Sequence, residues 1–489
     1  MLFNSFEFLC IFFPLVTGLY FTVPHHRRWM VLLAASCWFY MAFVPVYILI
    51  LGFTIGVDYF AGIWIERNEG RKRKLLLAAS IVANVSVLAF FKYFNFLNES
   101  IAAAVRTMGF HYGVPDLGII LPIGLSFHTF QSLSYTIEVY RKHQKAEHRF
   151  GIFALYVMFY PQLVAGPIER PGNLLNQINS STVGVGMRSD FDHDRVVAGL
   201  RQMLWGFFKK VVIADRCAVV VDQVYSSPDH YGSLSIALAT YLFAVQIYCD
   251  FSGYTDIALG AARVMGFNLM VNFRTPYRSA NISEFWGRWH ISLSSWFRDY
   301  LYIPLGGNRV VKWRWYYNLM IVFLVSGLWH GANWTYVIWG GLHGGYLILA
   351  IIFAPLTARF SGLIGLDARP ELKRALNVFI TFQLVSFAWI FFRADSIGVA
   401  KELVHRLVST PIALADLARL YADVPRSMLD LTVVLVVLFM LIDPVYDAWI
   451  KGERRIPQGL PGMAFFVALL AGILLFGYFG STSFIYFQF

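Results

Sequence analysis

The chain has 489 residues, of which 58% are hydrophobic and 17% aromatic while only 14% are charged. Soluble domains run nearer to roughly 45–50% apolar and about 25% charged, so the composition excludes a disordered chain and a cytosolic enzyme and leaves an integral membrane protein. Lys and Arg number 40 against 29 Asp and Glu, a net charge of +11, and in short loops such an excess holds the loop on the cytoplasmic side, with no need of nucleic acid.

The opening stretch from Phe8 to Val23 is apolar, has no basic region before it and lacks a small-residue cleavage site. It reads as a retained membrane segment, not a signal peptide. Further apolar runs lie at 29–43, 46–65, 75–93, 115–140, 150–165, 196–214, 234–249, 317–329, 334–354, 374–392, 429–442 and 461–480. Several are shorter than the roughly 20 residues a spanning helix needs, so they are expected to be tilted, re-entrant or buried. An all-α polytopic protein with about ten to twelve crossings follows.

Basic loops give the orientation. His25-His26-Arg27-Arg28, the Glu66–Lys74 stretch and the Arg141–Arg149 stretch follow the first, third and fifth runs. One arrangement satisfies all three: amino terminus outside, these loops inside. No repeat is visible, and the polar interruptions at 355–373 and 405–428 are too short for a soluble domain. A single membrane domain over 1–489 is expected. Cys10, Cys37, Cys217 and Cys249 have neither C-x-x-C spacing nor a disulfide-rich layout, so neither a structural disulfide nor a metal site is expected.

The stretch 246–344 departs from plain apolar spans. Asp250, Ser252, Tyr254 and Asp256 sit among apolar and small residues, and residues 272–309 mix aromatics with Arg274, Arg278, Glu284, Arg288, His290, Arg298 and Asp299. A spanning helix cannot carry so many charges without partners, whereas a re-entrant or interfacial element that pairs them can. Within it, His290 in RWHISLS and His330 in SGLWHGANW are far apart in sequence and meet only through tertiary folding. Imidazole exchanges protons near neutral pH, which suits acyl transfer to a hydroxyl, while the alternative for each histidine is a packing residue tied to a carbonyl or an acid. His343 falls on the opposite side of a continuous helix from His330, which suggests support. His128 reads as lining a cavity or packing against helix neighbours. No G-x-S-x-G elbow, Walker loop or dinucleotide fingerprint appears in a supporting context.

The segments at 121–141 (LPIGLSFHTFQSLSYTIEVYR), 159–170 (FYPQLVAGPIER), 248–267, 282–309, 327–344 (GLWHGANWTYVIWGGLHG) and the closing FIYFQF closely resemble the membrane-bound O-acyltransferase (MBOAT) family. The nearest branch is the one that acetylates alginate and other cell-envelope glycans. The resemblance runs nearly the full length. It implies a helical bundle with re-entrant or interfacial helices around a central tunnel in the bacterial inner membrane, among membrane lipids. It places the catalytic pair at His330, as base, and His290, as positioning group, with Trp329, Asn333, His343, Asp250 and Asp256 in support. It also implies acetyl-CoA as acyl donor, with Arg288, Arg298 and Arg309 near its phosphates and no tightly bound cofactor. The expected partner is an extracytoplasmic serine-hydrolase-like (SGNH) O-acetyltransferase with other polysaccharide-modification proteins. The expected product is an O-acetylated exopolysaccharide such as alginate. Peptidoglycan or cellulose acetylation is the alternative within this class, and a polytopic transporter or a structural scaffold lies outside it.

Overall fold

A computed structural model describes residues 1, 3–119, 121–164, 166–183, 190–450, 453, 459–480 and 484–485. Residues 486–489 of the closing FIYFQF, and Ala165 of the 159–170 segment, lie outside that set. Every regular element among the described residues is helical.

Among the described residues, six helices are long and apolar enough to cross a membrane: Tyr47–Arg67, Gly70–Thr107, Ser233–Val264, Trp334–Leu363, Pro370–Arg393 and Arg426–Ile450. Glu7–Thr22 and Leu460–Phe476 are apolar but shorter. Burial separates two kinds of span. Only 17% of the most apolar window of Gly70–Thr107 and 22% of that of Trp334–Leu363 is buried, against 78% for Ser233–Val264. The first two turn apolar side chains such as Leu75, Val82, Phe353 and Leu356 outward, where acyl chains take the place of a protein core. The third is surrounded by protein. The chain is a multi-pass membrane protein.

Several helices depart from the apolar runs for local reasons. Among the described residues, the run at 115–140 is helical over Leu125–Tyr140, because Pro122 and the left-handed Gly124 (φ 77) stand before it. Among the described residues, the run at 150–165 is helical over Phe150–Met158, which stops short of Pro161. Conversely, the run at 234–249 continues to Val264. Its polar residues lie inside a helix, which tolerates Asp250 because a buried lysine pairs with it.

The chain divides into two compact units, residues 1–203 with 254–270, and residues 204–253 with 271–489. In the first, Tyr47–Arg67, Gly70–Leu88 and Leu125–Tyr140 pack together. Gly62 admits the Tyr135 ring, whose Cζ would lie 2.9 Å from a Cβ there. The same unit buries Asp58, which accepts from Ser80 Oγ at 2.7 Å and Asn84 Nδ2 at 2.9 Å. In the second unit the closest pairing is between Lys312–His330 and Trp334–Leu363. Gly327 and Gly340 face each other there. A Cβ on Gly327 would overlap the Tyr336 carbonyl oxygen and lie 3.4 Å from Gly340 Cα, and one on Gly340 would overlap the Phe323 carbonyl oxygen. Small residues at such a crossing let two backbones touch inside a membrane, where packing drives association.

Candidate active site

His290 owes its place to two short helices. Asn281 caps the first, Ile282–Arg288, by accepting from Glu284 N at 2.8 Å, while Glu284 Oε2 accepts from Ala280 N at 2.7 Å. This is a close variant of the reciprocal capping box, encoded by Asn281 and Glu284 three residues later. His290 then turns the chain into the second helix, Ile291–Phe297, in a left-handed conformation, φ 43 and ψ 54. A non-glycine residue held there stores roughly 1–3 kcal/mol, and such strain collects at functional sites. Three backbone bonds fix it: Ile291 N to Asn272 O at 2.9 Å, Arg274 N to Arg288 O at 3.0 Å and Ser294 N to His290 O at 3.0 Å.

His330 is the last residue of Lys312–His330, and Gly331 ends the helix in an extended conformation. The glycine is required, because a Cβ there would overlap the Tyr336 ring. Asn333 restarts the chain as the cap of Trp334–Leu363, accepting from Thr335 N at 3.0 Å, and its Nδ2 donates to the Asp395 carbonyl at 3.1 Å. The break between the helices changes the geometry expected for His343: the two histidines lie on separate helices, with Trp339 between them. Its indole centroid is 4.9 Å from the His330 ring and 5.1 Å from the His343 ring.

The rings of His290 and His330 stand 6.4 Å apart, 0% and 2% exposed. Trp329 touches both, at 6.1 Å from His290 and 4.9 Å from His330. Phe251 lies edge-on to His290 at 4.7 Å, and Phe392 packs on His330 at 5.4 Å. Burial pushes the His290 pKa down from 6.5 to about 3, with a backbone hydrogen bond opposing, so the ring is neutral at physiological pH. His343, fully buried, accepts at Nδ1 from Trp286 Nε1 at 3.3 Å and lies parallel to the Phe285 ring.

The three arginines differ in surroundings. Arg288 is paired with Glu284 at 2.8 Å and donates to the Arg274 carbonyl. Arg298 pairs with neighbouring Asp299 at 2.8 Å and lines a cavity of about 430 Å³. Trp286, Ser294, Tyr302, Phe323 and Ser326 also line it, whereas His290 and His330 do not. Arg309 is exposed, past the Gly306–Gly307 turn.

Asp250 and Asp256 part company. Asp250 belongs to the unit that holds both histidines and pairs with Lys210 at 2.7 Å. Asp256 belongs to the other unit, where it accepts from Gln202 at 3.1 Å. His128 is also in that unit, buried and packed edge-on against Tyr40. Sequence reading passed over Lys209, Lys210, Asp215, Trp339 and Phe392. The pair of lysines inside the apolar run 196–214, with Asp215 just past its end, is the available signal, since charges there require buried partners. Among the described residues no group of His, Cys, Asp and Glu is arranged to hold a metal ion.

Residues 74–392 match the model of MBOAT, the membrane-bound O-acyltransferase family. The Pseudomonas aeruginosa protein named "Probable alginate O-acetylase AlgI" is 39% identical over 84% of this chain and 75% of its own length. A Helicobacter pylori "Peptidoglycan O-acetyltransferase" is 32% identical over 83% of this chain and 80% of its own. A Bacillus subtilis "Teichoic acid D-alanyltransferase" is 28% identical over 57% and 70%. The transporter and scaffold alternatives give way to an enzyme. The chain belongs to the membrane-bound O-acyltransferase family and is an O-acyltransferase.

Proposed function

We propose that this protein moves acetyl groups from cytoplasmic acetyl-CoA to an extracytoplasmic hydroxyl acceptor, for O-acetylation of an alginate-like exopolysaccharide. The observation that carries the reading is the pairing of His290 and His330, ring to ring at 6.4 Å inside an aromatic enclosure, in a member of an acyl-transfer family. In the reaction, His330 takes the proton of the attacking hydroxyl as its oxygen bonds to the thioester carbonyl carbon. The C–S bond breaks when the tetrahedral centre collapses, and the imidazolium returns its proton to the leaving sulfur of CoA. Neutral His290 holds the acceptor or donates to the developing oxyanion. Trp329 and Trp339 hold the His330 ring, and Asn333 and His343 support it from the second helix.

Arg298, on the cavity wall, and exposed Arg309 attract the phosphates of CoA. Arg288, already bound to Glu284, does so less. The bundle has about ten to twelve crossings, the short apolar helices included, with the amino terminus outside the bacterial inner membrane. A serine-hydrolase-like partner outside receives the acetyl group and passes it to the polymer.

Peptidoglycan is the second acceptor reading, favoured by the similarity to the Helicobacter pylori enzyme. Both are tested by supplying radiolabelled acetyl-CoA to the protein in lipid nanodiscs with an extracytoplasmic partner and either alginate or peptidoglycan. Label on alginate supports the first reading and label on peptidoglycan the second. CoA release without label on either polymer contradicts both.

A further inference from the structure

We propose that Lys210 is a positioning residue for His290, acting through Asp250 and the chain segment at Phe484–Ile485. The inference rests on the reading of His290 as part of the catalytic pair. Lys210 Nζ lies 2.7 Å from Asp250 Oδ1 and 2.8 Å from Asp215 Oδ1, with all three side chains 4% exposed. The other oxygen of Asp250 accepts from the backbone N–H of Ile485 at 2.7 Å. Neighbouring Phe484, buried at 2%, sets its ring 6.1 Å from Phe251. Phe251 directly follows Asp250, and its ring edge meets His290 at 4.7 Å. One carboxylate thus joins a buried cation to a backbone segment very distant in sequence, and the next residue carries the contact to the strained histidine.

The local backbone explains how two consecutive lysines serve this region. Phe208–Ala214 is a π-helical stretch, an irregularity frequent at functional sites because it re-aims side chains. Lys209 donates to Ser252 Oγ at 3.0 Å, while Lys210 reaches the two carboxylates. Gly253 allows the approach: a Cβ there would lie 2.7 Å from the Gly206 carbonyl oxygen and 3.2 Å from Lys209 Cβ. An ion cluster this dry is costly to assemble, and removing its cation takes a buried ion pair from both carboxylates. Asp250 then has no fixed orientation, Ile485 N–H loses its acceptor, and the wall of aromatic rings behind His290 loosens.

The test compares Lys210→Met, Lys210→Arg, Phe251→Leu, the Lys210→Met/Phe251→Leu double variant and His290→Ala in the full chain in nanodiscs. Readouts are kcat, KM for acetyl-CoA and melting temperature. The expected result for Lys210→Met is a kcat about tenfold lower with KM within about twofold, partly restored in Lys210→Arg. The double variant is no slower than the slower single one, because both act on the same ring. If Lys210→Met does not fold, Ile485→Pro, which removes the N–H that Asp250 accepts and also fixes φ there, is expected to show the same fall in kcat. Wild-type kcat in Lys210→Met, or in Ile485→Pro where Lys210→Met does not fold, overturns the proposal. So do strictly additive losses in the double variant. Wild-type turnover in His290→Ala overturns the catalytic reading itself. Slow His290→Ala beside normal Lys210→Met overturns only the positioning role.

Discussion

Replacing Gly340 with Ala puts a methyl group where the structure has none to spare. The new Cβ overlaps the carbonyl oxygen of Phe323, lies 3.0 Å from its carbon and comes within 3.3 Å of Gly327 Cα. These are backbone atoms, so no side chain can swing aside, and the helices Lys312–His330 and Trp334–Leu363 must separate by about 1 Å to restore ordinary contact. Overpacking of this kind costs roughly 1–3 kcal/mol. The displacement falls on the proposed catalytic pair, because His330 follows Gly327 by one turn and Trp339, adjacent to Gly340, packs on its ring at 4.9 Å. A misplacement of about 1 Å costs on the order of a hundredfold in rate. Gly345→Ala is the control: it lies on the same helix, and a Cβ there meets nothing within 4 Å. The assay is CoA release from acetyl-CoA alongside the melting temperature, both in nanodiscs. A lower melting temperature and a large loss of kcat are expected for Gly340→Ala, with Gly345→Ala close to wild type. Equal behaviour of the two variants would refute the argument that this crossing sets the position of His330.

Two further predictions concern the residues around the pair. The pKa of His290 is near 3 in the folded protein against 6.5 unperturbed, so between these values the unfolded chain binds the extra proton. His290 therefore subtracts nothing from stability above pH 6.5 and destabilises progressively as the pH falls from 6.5 towards 3. His290→Asn, which tolerates the left-handed backbone, should show a shallower fall of melting temperature across that window. An identical acid slope would contradict the neutral, buried imidazole. Arg298→Ala should raise KM for acetyl-CoA several-fold with little change in kcat, while Arg288→Ala should mainly lower the melting temperature, because its Glu284 pairing supports a helix. The reverse assignment of the two effects, measured by steady-state kinetics and thermal unfolding, would show that CoA reaches Arg288 instead.

Much of this architecture is written locally. Asn281 and Glu284 announce the helix that leads to His290, and Gly331 and Asn333 mark the end of one helix and the start of the next around His330. Such caps depend on residues within a turn of one another, and a sequence displays them directly. Hydropathy found the lipid-facing helices for the same reason. It failed where burial comes from protein: the helix around Asp250 runs well beyond its apolar stretch because Lys210, on another element, satisfies the charge. Nothing in the sequence pairs those two residues, nor brings Ile485 to Asp250. Asp250 and Asp256 look alike as an i and i+6 pair on one stretch, yet they belong to different compact units. A continuous helix would set His343 opposite His330, but the chain breaks at Gly331 and the two histidines lie on separate helices.

His330 is proposed as the base of acyl transfer, and CoA release by His330→Ala tests that role. The variant is compared with the wild-type protein in nanodiscs with acetyl-CoA and an extracytoplasmic partner, after both show the same melting temperature. A loss of about a hundred- to ten-thousandfold in kcat is predicted, the range typical of removing a general base. Wild-type turnover by a folded His330→Ala protein would contradict the account.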